Sequence, residues 1–308
     1  MAIYDYSMQV ALLLRVLPLI AQESAFALKG GTAINLFYQD MPRLSVDIDL
    51  AYLPVEDRAV SLVAIDAALD RIARRVEQRI PGARAERVSG GGNLETRMLV
   101  RSNGVVIKIE TSPVQRGTVF PPEERPVVGA VEEAYGFVEM PVLAFEDLYA
   151  GKLVAALDRQ HPRDLFDVHM LYQHGGITDA LFDTFLVYLV SSSRPMHEVL
   201  APGVVDLEAT YRSEFEGMTR EVVGLRALTE VRTRLVRDLR ARLDDRALGF
   251  LLSVHDCAPE FGLLHLPAAQ GLPAVQWKLR NLERLKRADP EKHRAQRESI
   301  LELRDRAG

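Results

Sequence analysis

Cysteine is nearly absent from this sequence of 308 residues, in which Cys257 is the only one. A single thiol cannot form a disulfide within the chain, and it cannot supply the set of thiolates that a typical structural zinc site uses. Such cysteine usage is typical of proteins that work in a reducing compartment, so we expect a cytoplasmic protein.

Long hydrophobic runs are also missing, and no stretch of the sequence reaches the length of a membrane span. The apolar stretch over residues 1–21 has Asp5 ahead of it and Arg15 inside it. Because a secretory signal peptide starts with basic residues before an uninterrupted apolar segment, we interpret this stretch as an amphipathic helix. We therefore expect neither a membrane anchor nor a membrane partner.

Positive charge is not in excess, since the net charge is −5. A general nucleic-acid coat is usually basic, so the whole-chain charge argues against one. The charge is uneven, however, at roughly +5 from Arg220 onward and about −10 before it. The charge distribution therefore leaves open a nucleic-acid contact confined to the C-terminal part.

Two basic stretches lie in that part. The arginines between Arg220 and Arg246 alternate with acids, which favours a salt-bridged solvent face over a cradle for tRNA phosphates. The basic residues over 278–287 leave the same two interpretations open. Trp277, next to them, is predicted to anchor a core, with a base-stacking platform as the alternative.

Hydrophobic periodicity predicts strands in the first half of the chain and helices in the second. Prolines 113, 121, 122 and 126 indicate loops and edge strands, and the glycines over 89–93 indicate a flexible loop. The pattern predicts an α+β fold with domains at 1–175 and 176–308 and without internal repeats. The predicted helices are Tyr4–Glu23, Thr32–Tyr38, Glu56–Arg79, Phe145–Arg159 and Pro162–His174, and the predicted strands are Ser45–Leu53, Thr96–Arg101, Val105–Thr111 and Phe137–Val142.

Two aspartates stand one residue apart inside an apolar strand. Val46, Ile48 and Leu50 alternate with Asp47 and Asp49, so the two carboxylates project from the same face. Carboxylates this close repel each other unless one is protonated or a cation lies between them, and Mg²⁺ prefers such oxygen ligands together with phosphates. The alternative is an ordinary solvated strand face, which is the commoner meaning of an isolated Asp-x-Asp.

Neighbouring residues favour the first interpretation. Gly30-Gly31 opens a predicted helix, whose free N–H groups at the positive end suit a triphosphate, although a plain turn would look the same. Glu110 lies in another apolar strand and shares its face with Lys108. Three acids on neighbouring strands beside a phosphate-binding turn suggest metal-dependent nucleotidyl transfer.

Longer stretches resemble one family. "LKGGTAINLF…RLSVDIDL", "IKIETSP", "DLYAGKLVAALDRQHPRDLFDVHML" and "WKLRNLERL" together resemble the AbiEii/AbiGii nucleotidyltransferase toxins of type IV-like toxin–antitoxin systems, to which the MenT toxins are similar. The resemblance is strong over residues 25–171 and extends weakly to residue 285. It implies a polymerase-beta-like nucleotidyltransferase core, with a mixed sheet flanked by helices, and a mainly helical C-terminal region.

The resemblance also implies roles for individual residues. Asp47 and Asp49 match the Mg²⁺ ligands, and Lys152 matches the motif lysine. Glu110 joins them as a third acid on the strand pattern, with an exposed strand face as its alternative. Asp167 matches the later aspartate, with Asp164 as its competitor; a helix-capping role is the preferred interpretation of Asp164, and a surface lysine is the alternative for Lys152. The implied catalytic residues are Ser45, Asp47, Asp49, Glu110, Lys152 and Asp167, and the implied nucleotide-binding residues are Gly30, Gly31, Thr32, Ser45 and Lys152.

The implied activity is transfer of NMP from an NTP to an RNA acceptor, most plausibly the 3′ end of tRNA, with release of pyrophosphate and Mg²⁺ as cofactor. The implied partner is an antitoxin of the AbiEi kind. Many polymerase-beta-like enzymes have Gly-Ser where this chain has Gly30-Gly31, so triphosphate contacts are expected to rely more on backbone. The alternatives are a nucleotidyltransferase that modifies a protein or small molecule, and a non-catalytic NTP-binding regulator.

Overall fold

The computed structural model of the protein describes residues 2–90 and 93–305. It contains two compact units, Met1–Ala144 and Phe145–Gly308. The predicted functional division after residue 175 stays a prediction, because compactness alone does not define a catalytic domain. The centre of the loop predicted over 89–93 lies outside the described residues.

The first unit combines a mixed sheet with helices, as the fold class predicted. Its elements are α1 (Ala2–Ile20), β1 (Phe26–Lys29), α2 (Gly30–Ala33) continuing as a π-helical turn (Ile34–Tyr38), β2 (Asp47–Tyr52), α3 (Arg58–Arg79), β3 (Arg84–Gly90), β4 (Asn93–Ser102), β5 (Val105–Arg116), β6 (Glu123–Pro126), α4 (Gly129–Tyr135) and β7 (Glu139–Val142).

The strands of this unit form one sheet in the order β3-β4-β5-β2-β1-β7-β6. The pairs β2–β5 and β1–β7 are parallel, and the other neighbours are antiparallel. Helices α1 and α3 pack on the sheet. Ile48, Leu50, Met98 and Ile109 are completely buried, so the apolar side chains of the central strands form the core. The alternating acids of β2 project from the opposite face.

Two turn and strand predictions have different outcomes. Asn103 and Gly104 both have positive φ, at 50° and 78°, which confirms the predicted tight hairpin between β4 and β5. The assignment of Pro113 to a loop or edge strand is wrong, because Pro113 lies inside the internal strand β5. The strand tolerates it because the pairing of β5 with β2 is interrupted between Thr111 and Arg116, where no ladder N–H is required.

Three strands escape detection in the sequence. β1 is a run of only four residues, too short for a periodic pattern, while β3 and β6 are polar. β3 and β6 are the two edges of the sheet. An edge strand receives its hydrogen bonds from its neighbour and can expose polar side chains, so apolar alternation is not required there.

The regular elements in the described part of the second unit are all helices. Its helices are α5 (Phe145–Arg159), α6 (Pro162–Gln173), α7 (Asp179–Val190), α8 (Met196–Leu200), α9 (Glu208–Glu214), α10 (Leu225–Ala241), α11 (Asp245–His255), α12 (Pro273–Ala288) and α13 (Pro290–Asp305), with short 3₁₀ turns at Phe261–Leu264 and Pro267–Gly271. Its core contains Tyr149, Phe185 and Phe250, each fully buried. Across the described residues of the chain, no helix is long and apolar enough to cross a membrane.

The prediction that Trp277 anchors a core is wrong, because its side chain is 49% exposed. Helix α12 directs Val275, Lys278 and Leu282 inward instead. Lys278 donates to the carbonyls of Ser192 and Arg194 at 2.7 and 2.6 Å. Burial lowers the pKa of Lys278 to about 8. A lysine can therefore take a core position when backbone carbonyls solvate its ammonium, which a hydrophobic pattern does not reveal.

Two buried histidines join α11 to α13. The His255 ring donates from Nε2 to the carbonyl of His293 at 2.9 Å, the His293 ring donates in return to the carbonyl of His255 at 3.0 Å, and the rings stack 4.1 Å apart. Burial lowers the pKa of His255, although Asp256 nearby raises it. The folded chain therefore favours the neutral imidazole of His255.

We expect the free energy of unfolding to fall as pH drops from 7.5 to 5.5. An unfolded histidine takes up a proton near pH 6.5 while folded His255 resists it, so the unfolded state binds more protons in acid. Denaturation in urea, followed by circular dichroism at both pH values, measures the decrease. His255→Gln should show a smaller decrease than wild type, whereas His265→Gln, at an exposed position, should keep it. Equal pH dependence in wild type and His255→Gln would contradict the expectation.

Candidate active site

Charged residues from four strands form one row on the face of the sheet opposite its core. The strand registers pair Lys29 of β1 with Asp49 of β2, Asp49 with Glu110 of β5, and Glu110 with Arg97 of β4. Directly paired residues project from the same face of a sheet. The row therefore holds two acids between two bases, and it confirms that the acids of β2 and β5 are neighbours.

A lysine lies among these acids. Asp47 pairs with Lys108, whose Nζ is 2.6 Å from Glu110 Oε2 and 3.7 Å from Asp47 Oδ2. Burial would raise the pKa of Glu110, but hydrogen bonds from Lys108 and Arg97 hold that pKa below its usual range. Burial would lower the pKa of Lys108, but Glu110 and Asp47 keep it raised. Both groups are therefore charged at neutral pH.

The glycine pair allows the backbone to approach β2 closely. Helix α2 begins at Gly30, where φ is +76°. A Cβ on Gly30 would lie 2.4 Å from Asp49 Oδ2, and one on Gly31 would lie 2.5 Å from Arg43 Nη2. A side chain on Gly30 would take the space beside the Asp49 carboxylate, and one on Gly31 would take the space beside Arg43 and Ser45, so both positions need glycine.

Hydroxyl groups fix α2 against β2. Thr32, which is fully buried, donates from Oγ1 to the carbonyl of Asp47, and its Oγ1 lies 3.1 Å from Ser45 Oγ. Arg43, which sequence reasoning missed, is buried beside Gly31. Arg43 lies in the stretch "PRLSVDIDL", shortly before the two aspartates, and that position could have indicated a place near the site. Gly30, Gly31, Thr32, Ser45, Asp47 and Asp49 thus meet within the first unit.

The chemistry of the donor set fits a magnesium ion. Mg²⁺ commonly takes one or two carboxylates and completes its shell with phosphate oxygens and water. Asp47 is 45% exposed at its side chain, and Asp49 faces the space that Gly30 leaves open. Within residues 2–90 and 93–305, no group of three or more His, Cys, Asp or Glu side chains has a metal-binding arrangement. The role of Glu110 as a metal ligand stays a prediction.

The predicted lysine and aspartates of the second unit form a buried cluster. Lys152 Nζ lies 2.8 Å from Asp164 Oδ1 and 2.9 Å from Asp167 Oδ2, and Arg159 Nη2 lies 2.8 Å from Asp164 Oδ2. The side chains of Lys152, Asp164 and Asp167 are 8%, 5% and 1% exposed. Lys152 is therefore not a surface lysine.

The interpretation of Asp164 as a helix cap is wrong. The side chain that caps α6 is that of His161, whose Nδ1 accepts from the N–H of Arg163 at 3.1 Å. Asp164 lies in the first turn, but its carboxylate binds Lys152 and Arg159. A buried carboxylate gains more from two cations than from an N–H group that another side chain already satisfies.

We expect Lys152→Ala to lower the free energy of unfolding by about 3–5 kcal/mol, because it leaves Asp164 and Asp167 buried together without their shared cation. Chemical denaturation followed by circular dichroism measures the loss. The control is Asp158→Ala on the same helix, which breaks a partly exposed pair with Arg194 and should cost about 1 kcal/mol or less. Equal costs for the two variants would contradict the expectation.

The arginines of α10 and its C-terminal end are engaged within the chain, as the salt-bridge interpretation predicted. Ion pairs join Arg226 to Glu230, Arg234 and Arg237 to Asp238, Arg242 to Asp179, and Arg246 to Asp183. Arg232 and Arg240 donate to the backbone carbonyls of Val205 and Leu303. A tRNA cradle on this helix stays a prediction.

Comparisons with known proteins bear on the fold and the family of the chain. The chain is similar in structure to MenT4, a nucleotidyltransferase toxin from Mycobacterium tuberculosis H37Rv, with a TM-score of 0.62 and 16% identity over 91% of this chain and 94% of that chain. This likeness supports the fold, and a search of curated proteins finds no match. The sequence model described as "Nucleotidyl transferase AbiEii toxin, Type IV TA system" matches residues 11–281. The chain therefore belongs to the AbiEii family of nucleotidyltransferase toxins of type IV toxin–antitoxin systems.

Proposed function

We propose that the protein transfers NMP from an NTP to an RNA acceptor, with Mg²⁺ held by Asp47 and Asp49, and that the acceptor is the 3′ end of tRNA. The observation that carries the proposal is the placement of the Asp49 carboxylate, which shares a strand face with Asp47, against Gly30 at a helix start. This arrangement offers oxygen ligands for a cation beside N–H groups for phosphates.

The chain's own groups would hold the triphosphate. The N–H groups at the start of α2 lie at the positive end of the helix, and the absence of side chains at Gly30 and Gly31 lets phosphate oxygens approach them. The Ser45 hydroxyl lies within 3.1 Å of Thr32 Oγ1 and is held at the same point. Lys108 and Arg43 add positive charge nearby, which compensates part of the charge of a triphosphate.

In the proposed reaction, the acceptor hydroxyl oxygen forms a bond to the α-phosphorus while the bond from that phosphorus to the β-phosphate bridging oxygen breaks. Pyrophosphate leaves, and the hydroxyl proton passes to a base, for which Glu110 is the candidate in the row. A bound Mg²⁺ would neutralise charge on the phosphate oxygens and on the leaving pyrophosphate. Asp47 and Asp49 would hold that ion, and the absence of side chains at Gly30 and Gly31 leaves room for the triphosphate at the start of α2.

Lys152 and Asp167 belong to the proposal as residues implied by the family. What supports them is their buried and fully ion-paired state, since charged groups that a chain keeps in its interior are candidates for functional sites. The same cluster also stabilises the second unit, so a loss of activity in Lys152 variants has to be measured per folded molecule. Asp164 remains the competing acid.

The family implies an antitoxin partner and an NTP substrate. We propose that the antitoxin is of the AbiEi kind, that the protein acts in the cytoplasm, and that NMP transfer to tRNA arrests growth. The chain's single cysteine accords with a reducing compartment. A protein or small-molecule acceptor is the competing outcome of the test below.

The test is incubation of the purified protein with each α-labelled NTP in turn, with Mg²⁺ and with total tRNA, cell protein or small-molecule acceptors in separate reactions. We expect label in the tRNA alone. Removal of the 3′ hydroxyl by periodate treatment should abolish labelling, because the attacking oxygen is lost. Label in protein or in a small molecule would replace the proposed acceptor, and no label in any reaction would count against the activity.

A further inference from the structure

Helix α12 has an exposed face that the proposed reaction does not use. Trp277, Arg280, Arg284 and Arg287 follow each other at intervals of three, four and three residues, and all four are exposed. At 100° per residue, this spacing places them on one narrow stripe about 15 Å long. The buried residues Val275, Lys278 and Leu282 lie on the other side of the helix.

The arginines of this stripe are less neutralised than those of α10. Arg284 donates to the uncharged Asn281 at 2.8 Å. Arg287 lies 3.6 Å from Glu283, and the side chains of Arg287 and Glu283 are 79% and 52% exposed. Arg280 forms no ion pair with any other residue in the described part of the chain. The stripe therefore retains positive charge in a chain whose net charge is −5.

The combination of an exposed indole with guanidinium groups fits one kind of partner. Aromatic side chains stack on unpaired bases, and arginines contact phosphates and stack as well. A lipid surface would require a broad apolar face. Among the described residues of α12, Trp277 is the one exposed large hydrophobic side chain, so such a face is absent there. Charge and chemistry together favour a nucleic-acid strand.

We propose that the Trp277–Arg287 face of α12 is a docking surface for a single-stranded segment of the RNA acceptor, with Trp277 stacking on a base and the three arginines contacting phosphates. This inference rests on the proposed function for the identity of the RNA. The surface itself is defined by exposure, spacing and charge alone.

Trp277 is also the probe, because it is the only tryptophan of the chain. Total tRNA is titrated into an Asp47→Asn protein that retains the fold, and Trp277 emission is recorded at several salt concentrations. We expect quenching, with log K falling linearly with log salt. Arg280→Gln and Arg284→Gln should each reduce the magnitude of that slope by about 0.7, the value for one contact to a single strand.

Trp277→Leu, followed with fluorescein-labelled tRNA, should weaken binding about tenfold or more at an unchanged salt slope, because stacking is not ionic. Arg226→Gln on α10 is the control, since Arg226 is 93% exposed but paired with Glu230, and its slope should equal that of wild type. Because Trp277, Arg280 and Arg284 are exposed, substitutions at these positions should leave the thermal midpoint unchanged.

Distinct results overturn the docking surface and the proposed function. The RNA-docking surface would be refuted by salt slopes of tRNA binding that are unchanged in both arginine variants. It would also be refuted if vesicles containing phosphatidylserine, but not tRNA, quenched Trp277 emission. If wild type still labels tRNA in that case, the proposed function stands without this surface. If tRNA binds as expected but no NTP labels it, the docking surface stands and the proposed activity fails.

Discussion

Asp47→Asn should lower the rate of NMP transfer at least about 100-fold while the protein stays folded. The substitution keeps the size of the side chain but removes one of two adjacent charges, and an amide is a far weaker ligand for a hard cation that is worth several kcal/mol to phosphoryl transfer. Incorporation of α-labelled NTP into tRNA measures the rate. Asp49→Asn should have an effect of similar size.

The thermal midpoint of the variant distinguishes a loss of catalysis from a loss of activity caused by unfolding. Asp47 is repelled by Asp49 but attracted by Lys108, whose Nζ lies 3.7 Å away, and both side chains of that pair are partly exposed, so removing the Asp47 charge should change the thermal midpoint little. The control is Glu86→Gln on β3 of the same sheet, an acid that is 65% exposed and 3.5 Å from Arg101, and it should retain full activity. Wild-type activity in Asp47→Asn would refute the metal site.

The sequence contained enough to predict the charged face of the sheet. Asp47 and Asp49 alternate with apolar residues, and period two requires that they share a face whatever the rest of the chain does. Helices α5 and α6 were predicted to within a residue because proline, acidic first turns and apolar periodicity agree there. Local rules suffice when they all favour the same element.

What the sequence could not supply was pairing between strands. That Lys108 stands beside Asp47, and that Arg97 and Glu110 lie in one row with Asp49, follows from the registers of β4, β5 and β2. Register depends on contacts between segments far apart in the chain, which single-sequence patterns do not encode. The role of Lys108 as the partner of two site acids was therefore missed.

The wrong interpretations of Asp164 and Trp277, and the excluded surface alternative for Lys152, share a cause. Each was assigned from its residue type, whereas the structure places two charged groups inside and an indole outside. A buried charge is tolerated when partners compensate it, as Asp164 and Asp167 do for Lys152, and such partners are visible only after folding. Pattern rules are therefore weakest where the interior is polar.

Gly30→Ala should reduce NMP transfer about 100-fold, a loss expected from a displacement of about 1 Å at a reacting site. The new Cβ would lie 2.4 Å from Asp49 Oδ2, so either the carboxylate or the start of α2 has to move. The φ of +76° adds strain of about 1–2 kcal/mol for any residue with a Cβ. Activity and thermal stability are both measured, because backbone strain lowers stability, whereas displacement of the Asp49 carboxylate lowers the rate of NMP transfer.

Gly104→Ala separates the two effects. Gly104 has φ +78° but nothing within 4 Å of its ideal Cβ, so the variant suffers the same strain without a clash and lies in the hairpin between β4 and β5. We expect Gly30→Ala to lose at least as much stability as Gly104→Ala, and only Gly30→Ala to lose activity. Equal activity in the two would mean that Asp49 tolerates the methyl group, and the glycine would then serve the turn rather than the reaction. A selective loss would tie catalysis to the space that Gly30 leaves beside the carboxylate, because strain is matched and only the neighbour of the added methyl group differs.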